Sequence, residues 1–170
     1  MEIMIIQLLT GALGSVGFGL IFHIRKRYLP AAALGGMLGW FIYLLLMHNG
    51  NHVFVSTLAA SFCVAIYAEI LARIYGAPST LFFVTSAIPL IPGSTLYYSM
   101  STLAEGDIKQ AQMYGSKTFL FALGIAGGMA IAWCICDLIR KIKKLLTKVE
   151  TDDNIMKLSE RDSKKNNRKD

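Results

Sequence analysis

The stretch AIPLIPGSTLYYSM, residues 87–100, places two prolines, a glycine and several hydroxyl side chains inside an apolar run. Proline within a helix removes a backbone donor and clashes with the preceding turn, at a cost of about 3 kcal/mol. A plain membrane-crossing helix would not carry two of them three residues apart, at Pro89 and Pro92. The stretch therefore predicts a helix that breaks midway, and Gly93 removes side-chain bulk at the break.

The chain around this stretch has the composition of a membrane protein. Of its 170 residues, 54% are hydrophobic and 16% are charged, and the mean hydropathy is +0.49. Apolar runs recur with almost no charge inside them, and each crossing of a bilayer core needs about 20 such residues. Five spans are predicted, at residues 3–22, 29–47, 53–72, 80–102 and 119–136. The predicted fold is an all-α polytopic membrane protein whose fourth span is interrupted at Pro89, Pro92 and Gly93.

The basic residues predict the orientation and the domain limits. Of the 17 lysines and arginines, only Lys109 and Lys117 fall on the side opposite the C-terminal tail. Positive flanks mark the cytoplasmic side, so we expect a multi-pass protein of the cell (inner) membrane with its N-terminus outside and its C-terminus in the cytoplasm. Residues 1–137 hold the spans, residues 138–150 are predicted to form an amphipathic cytoplasmic helix, and residues 151–170 a disordered polar tail.

The interrupted span is the candidate substrate site. In lipid every backbone polar group must be satisfied, so a broken helix persists only where protein buries it or where it lines a water-filled cavity. Discontinuous helices near the bilayer midplane point to a transporter's substrate site, and the first amides of the second half-helix favour a carboxylate. A proline kink used only for packing is the alternative. The predicted substrate-binding residues are Thr85, Ser86, Pro89, Pro92, Gly93, Ser94, Thr95 and Tyr97.

A charged pair ends the third span in the segment AEILAR, residues 68–73. Glu69 and Arg73 are four residues apart and therefore share one helical face. Arg73 is close enough to the cytoplasmic end to reach the headgroups with its long side chain. Glu69 lies one turn deeper, where burial disfavours a charged carboxylate. Two roles follow for Glu69, as a proton carrier coupled to transport or as a structural partner of Arg73.

Small residues at every fourth position predict faces where helices approach closely. The small-residue faces are Gly11, Ser15 and Gly19; Ala32 and Gly36; Gly35 and Gly39; and Gly124, Gly128 and Ala132.

Gln7 in the first span is predicted to make a hydrogen bond between helices, with a position on the substrate route as the alternative.

Several other activities are disfavoured by what the sequence contains. The net charge of +6 lies mostly in the tail, which fits a membrane flank and not a nucleic-acid surface. The cysteines lie in apolar segments, and the loop glycine between His48 and His52 disfavours a metal there, so we expect no metal and no cofactor. An intramembrane enzyme using Ser94 or Ser99 is disfavoured because the predicted spans hold neither a histidine base nor an aspartate pair.

The segments AEILAR and IPLIPGSTLYY (residues 88–98) resemble the small, membrane-only subunit of the threonine/serine exporter family, over roughly residues 1–137. Long members carry ten spans and a cytoplasmic region, and this chain resembles their last five spans. In split members a second protein supplies the other half, and one such pair is associated with succinate export. The resemblance points to Glu69 and Arg73 in an acidic helix motif, and to Pro89, Pro92 and Gly93 in a proline-glycine motif.

Together these observations predict a non-enzymatic subunit of a secondary transporter. It would export small carboxylate-bearing metabolites, either threonine/serine-type amino acids or a dicarboxylate such as succinate. An ion gradient is the expected energy source, because the chain has no GxxxxGK[ST] phosphate-binding loop. The expected partners are a second membrane subunit carrying a soluble region, membrane lipids and the small-molecule substrate. The alternative is a non-transporting membrane scaffold or regulatory subunit, in which the break packs dry against its partner.

Overall fold

The structure is a computed structural model, which describes the backbone of residues 2–166 and the side chains of residues 4–145 and of Thr147. Within these residues all regular structure is helical. Four helices are long and apolar enough to cross a membrane, and a bent pair makes a fifth span when it is counted as one. The chain is therefore a polytopic all-α membrane protein, as predicted. The α-helices are α1 (Glu2–Ile21), α2 (Leu29–His48), α3 (Val53–Tyr75), α4 (Ser79–Ala87), α5 (Gly93–Ala104) and α6 (Ile108–Asn166), and short 3₁₀ turns cover Lys26–Tyr28 and Ile88–Leu90.

The interrupted span consists of Ser79–Leu90 and Gly93–Ala104, which are bent by 49° relative to each other. At 1.5 Å per residue each half is about 18 Å long, so the bent pair extends about 30 Å along the axis of its first half. That length matches the hydrocarbon thickness of a bilayer, about 30 Å. A re-entrant loop would need a near reversal of chain direction. The pair therefore suits one broken crossing, with the break at the predicted prolines.

Helix α2 lies at the centre of the bundle and contacts α1, α3 and α4. A side chain added at Gly36 would overlap the Ser15 hydroxyl of α1, and one added at Gly35 would overlap the Ser86 hydroxyl of α4. Lipid tails are as apolar as a neighbouring helix, so the hydrophobic effect does not drive helices together within a bilayer. Helix association there depends instead on close packing of this kind. The predicted small-residue faces of the first two spans are therefore the contact surfaces of α2. Its buried small residues are Ala31, Ala32, Gly35, Gly36 and Gly39.

Three aromatic rings pack together at one end of the bundle, the end predicted to be cytoplasmic. The Tyr28 ring lies 5.1 Å from that of Tyr75 and 5.4 Å from that of Phe82, and the last two are stacked at 5.8 Å. The Arg27 guanidinium lies 5.5 Å from the centre of the Tyr75 ring. These contacts join the α1–α2 link, the end of α3 and the start of α4. Gly76 ends α3 in the left-handed conformation, with φ of +62°.

Helix α6 begins much earlier than the sequence predicts. The polar residues 103–118 suggest a link, and that prediction is wrong because α5 continues to Ala104 and α6 starts at Ile108. The Asp107 side chain accepts a hydrogen bond from the Gln110 backbone N–H at 3.0 Å, which is the geometry of a helix N-cap. Asp107 and Gln110, in the segment DIKQ, have the spacing of a helix capping motif, which marks the start of α6 within this polar stretch.

The chain divides into two compact units, Met1–Trp133 and Cys134–Asp170. The first unit is the bundle. In the second unit α6 continues through Asn166, and Asp137 pairs with Lys141 at 3.0 Å. Residues 151–166 are therefore helical, which differs from the disordered tail that their polarity predicts, because lysine, arginine, glutamate and leucine are all good helix formers. Residues 167–170 lie outside the described residues, and the domain limits at 137 and 150 remain predictions.

The contact between α3 and α6 yields a stability prediction. A methyl group at Gly128 would overlap the Ser61 hydroxyl and the Leu58 carbonyl oxygen, whereas one at Gly127 would lie 3.7 Å from Leu58 Cδ1, an ordinary contact. Gly128→Ala should therefore destabilise the bundle by about 1–3 kcal/mol through overpacking. Gly127→Ala should leave the bundle unchanged or slightly stabilise it through its better helix propensity. Thermal unfolding in detergent measures both variants, and equal midpoints would contradict this packing.

Candidate functional site

The main chain at the break satisfies part of its own hydrogen-bonding demand. Pro92 has no N–H to give to the Ile88 carbonyl, and the Ile91 N–H donates to that carbonyl instead, at 3.0 Å. The Gly93 N–H in turn donates to the Ile91 carbonyl at 2.8 Å. Helix α5 then starts after Pro92, which supplies no side-chain cap. The next amides of the first turn of α5 are the backbone donors that a helix leaves for a ligand or water.

Before the break, two predicted site residues are fully buried but differ in their hydrogen bonding. The Thr85 hydroxyl lies 3.0 Å from the Leu81 carbonyl, a helical neighbour to which it donates. Ser86 is 0% exposed, and its hydroxyl has no hydrogen-bond partner among the described residues. The Ser86 hydroxyl packs against Gly35 of α2. Of the two residues, Ser86 retains unused hydrogen-bonding capacity.

After the break, the predicted site residues lie on the surface of the described chain. An added Cβ at Gly93 would meet no heavy atom within 4 Å, Ser94 is exposed, and Tyr97 is 67% exposed. Thr95 is half-buried, and its hydroxyl lies 2.9 Å from that of Thr118 on α6. The eight predicted residues are therefore divided between the bundle interior before the break and an outer surface after it.

A pocket of about 230 Å³ lies beside the break. Its position explains why sequence reasoning identified only part of it, since α1, α2 and the 3₁₀ turn at Ile88–Leu90 all contribute. Pro89 belongs to the predicted site, and Gln7 of α1 lines the same pocket. Thr10, Gly11 and Trp40 carry no local motif that would mark them as site residues. The lining residues are Gln7, Thr10, Gly11, Trp40 and Pro89.

Trp40 is the most informative residue of this pocket. Its indole N–H is buried and has no hydrogen-bond partner within the described part of the chain. Its ring lies 5.2 Å from the Tyr43 ring, which contacts Phe121 of α6 at 5.4 Å. Opposite Trp40, the Thr10 hydroxyl lies 2.9 Å from the Gln7 carbonyl and 3.0 Å from the Ile6 carbonyl, so its single proton is used within α1.

Glu69 and Arg73 form the pair that their spacing predicts. Glu69 is only 7% exposed, and its Oε1 accepts a hydrogen bond from the half-exposed Arg73 guanidinium at 3.3 Å. The level of the break is given by Val64, since a side chain at Gly39 would contact both Val64 and Leu90. Glu69 lies five residues further along α3, about 7.5 Å along the helix axis. The pair is therefore displaced from the break toward the C-terminal end of α3.

Metal-ligating side chains do not cluster in the described residues. No group of three histidine, cysteine, aspartate or glutamate side chains there is arranged to hold a metal ion, and the three cysteines are free thiols. The candidate site therefore consists of neutral polar groups beside the broken span, with one ion pair nearer the C-terminal end of α3.

A polytopic bundle with an interrupted span is typical of secondary transporters. The family described as Threonine/Serine exporter, ThrE, matches residues 7–135, a range that includes the charged pair and the whole broken span. The chain therefore belongs to the threonine/serine exporter family, as its two motifs predict, and this is a family of transporters and not of enzymes. No solved structure matches the chain.

The buried, unpartnered Ser86 hydroxyl gives a stability prediction. Ser86→Ala removes a polar group without a partner, so stability should stay within about 0.5 kcal/mol or rise. Ser86→Val enlarges the side chain against Gly35 and should cost about 1–3 kcal/mol. Unfolding midpoints in detergent measure both variants. A strongly destabilised Ser86→Ala protein would mean that this hydroxyl is hydrogen-bonded in the membrane.

Proposed function

We propose that this protein is a subunit of a secondary exporter for small carboxylate-bearing metabolites, either threonine/serine-type amino acids or a dicarboxylate such as succinate. The observation that carries the proposal is the broken span itself, which has a pocket against Pro89. Lipid cannot satisfy the Ser94 and Thr95 amides in the first turn of α5, so water, solute or protein must meet them. Of these three, membership of an exporter family supports a transported solute as the partner of the amides.

In the proposed mechanism the substrate passes the break between α4 and α5. The first-turn amides of α5 attract its carboxylate, because a helix N-terminus carries partial positive charge. The hydroxyls of Ser94, Thr95 and Tyr97 meet the remaining polar groups of the substrate, while Thr85 and Ser86 face the inner side of the break. Bending at Pro89 and Pro92 then exposes the site alternately to the two sides of the membrane.

Glu69 is proposed to couple this cycle to a proton gradient. A protonated Glu69 no longer attracts Arg73 as an ion, so proton binding changes the contact that holds the end of α3. Tyr67 precedes Glu69 by two residues, and its hydroxyl donates to the Ala31 carbonyl of α2 at 2.8 Å. The Tyr67 ring also borders the contact between Gly35 and Ser86. A shift in α3 would therefore reach the break through α2.

The proposed assembly pairs this chain with a second membrane subunit that carries a soluble region. The exposure of helix α5 supports a partner subunit, since none of the residues of α5 is buried and there is open space beside Gly93. A half-helix beginning at bilayer depth needs protein or water on that side. In the proposed orientation the N-terminus is outside the cell (inner) membrane and the C-terminus is in the cytoplasm, where the basic residues gather.

Efflux of labelled threonine and succinate from cells producing the complete exporter tests this proposal. Glu69→Gln should reduce proton-driven export at least about tenfold, because it removes the proton-carrying group. Gly93→Leu should block the route while the bundle still folds, since space is open there. The matched controls are Glu105→Gln, an exposed carboxyl, and Gly14→Leu, which also enters open space. Unchanged export by both Glu69→Gln and Gly93→Leu would refute the proposed site.

A labelling experiment distinguishes a transporter subunit from a scaffold. Cys63, Cys134 and Cys136 are first replaced by alanine, and a single cysteine is placed at Ser94. A membrane-impermeant thiol reagent should then label this cysteine in the assembled exporter, and substrate should slow the reaction. A cysteine at Gly50, in the exposed turn between α2 and α3, serves as the accessible control. Labelling at the control but never at residue 94 would favour a scaffold with a dry break.

A further inference from the structure

We propose that the pocket lined by Gln7, Thr10, Gly11, Trp40 and Pro89 is the position where the substrate carboxylate is recognised, with the Trp40 indole N–H and the Gln7 side-chain amide as its donors. This inference rests on the proposed export function and adds a second binding position on the same route, before or after the amides of α5. Pro89 is the residue that joins the pocket to the break.

The unpaired indole N–H is the first argument. Buried tryptophan N–H groups usually find an acceptor, and leaving a buried donor unpaired costs about 1–3 kcal/mol. The Trp40 N–H lacks an acceptor among the described residues, and Trp40 is one of the five residues that line the pocket. A carboxylate bound in the pocket supplies that acceptor, and a hydrogen bond to a charged group is stronger than a neutral one.

The other polar groups of the pocket complete a donor set for one carboxylate. Gln7 offers two N–H donors and one carbonyl acceptor. Thr10 uses its proton within α1, so toward the pocket it acts only as an acceptor, suited to an ammonium or hydroxyl of the substrate. None of the five lining residues is charged. Neutral donors hold an anion without the deep trap that a buried arginine would create, and a transported solute must also leave.

The size of the pocket suits a small metabolite. The volume of about 230 Å³ exceeds the 150 Å³ cavity that holds benzene, and it is smaller than most drug-sized pockets. Gly11 forms part of the wall, since a Cβ added there would lie 3.7 Å from Pro89 Cβ and 3.8 Å from Trp40 Cβ. Alanine therefore fits at this position in ordinary contact, whereas a leucine side chain would extend into the cavity.

Trp40→Phe tests the donor because it removes the N–H and keeps an aromatic ring against Tyr43. In the complete exporter the KM for threonine or succinate should rise about tenfold or more, as expected for a lost bond to a charged group, with little change in maximal efflux. Trp133→Phe, the change at the other tryptophan, should leave the KM unaltered because its side chain is exposed on α6. An unchanged KM in Trp40→Phe would overturn the proposal.

Gly11→Leu tests the cavity, with Gly14→Leu, on the same helix but outside the pocket, as its matched control. The Gly11 variant should lose most export while it retains its unfolding midpoint, and the Gly14 variant should transport normally. If Gly11→Leu leaves the KM and the rate of export unchanged, the pocket lies off the route, although the exporter function itself would stand.

Direct binding provides a readout that does not depend on transport. The chain has two tryptophans, so Trp40 is the sole indole in the Trp133→Phe protein. Threonine and succinate should each change its fluorescence with a saturable dependence, whereas threoninol, which lacks the carboxylate, should not. A response to threonine alone would support a bound carboxylate whose neighbouring ammonium or hydroxyl group donates to the Thr10 oxygen. An equal response to threoninol, or no response to either acid, would refute carboxylate recognition even if export is intact.

Discussion

The bundle depends on the requirement that backbone polar groups within a bilayer find partners inside the protein. Regular helices meet this requirement by themselves, and a proline break does not. Here the break repairs some of its own loss, because Ile91 and Gly93 donate to carbonyls within the turn. The break leaves the next two amides of α5, those of Ser94 and Thr95, without a backbone acceptor. The candidate site follows from that residual demand, since those amides must meet water, solute or another protein chain.

Close packing around α2 places the chemistry beside this break. Because Gly35 and Gly36 are adjacent, they face different neighbours, and each admits a serine hydroxyl at backbone distance. These contacts bring α1 and α4 against the same central helix. The pocket lies where the 3₁₀ turn at Ile88–Leu90 follows α4, between that turn, α1 and α2. The lining of the pocket is neutral, as expected at this depth because charged side chains there would need partners of their own.

The sequence was sufficient for features that depend on local spacing. Hydropathy located the spans, the two prolines located the break, and the interval of four residues paired Glu69 with Arg73. The sequence was insufficient where the rotation of a helix about its own axis decides which side chains are buried and which meet a neighbouring helix. Ser86 and Ser94 look alike in the sequence, yet one is sealed against α2 and the other is exposed, and no local pattern connects Gln7 with Trp40. The early start of α6 was missed because capping by Asp107 outweighs the polarity of the residues that follow.

The serine–glycine contacts on α2 also affect how its neighbours can move. Interlocked leucines would have to change rotamers before one helix could slide past another, whereas a hydroxyl resting on a glycine meets a nearly flat stretch of backbone. The rings of Tyr28, Tyr75 and Phe82 hold the starting end of α4. We therefore expect any movement of α4 over α2 to increase toward the break, where the Ser86 hydroxyl rests on Gly35.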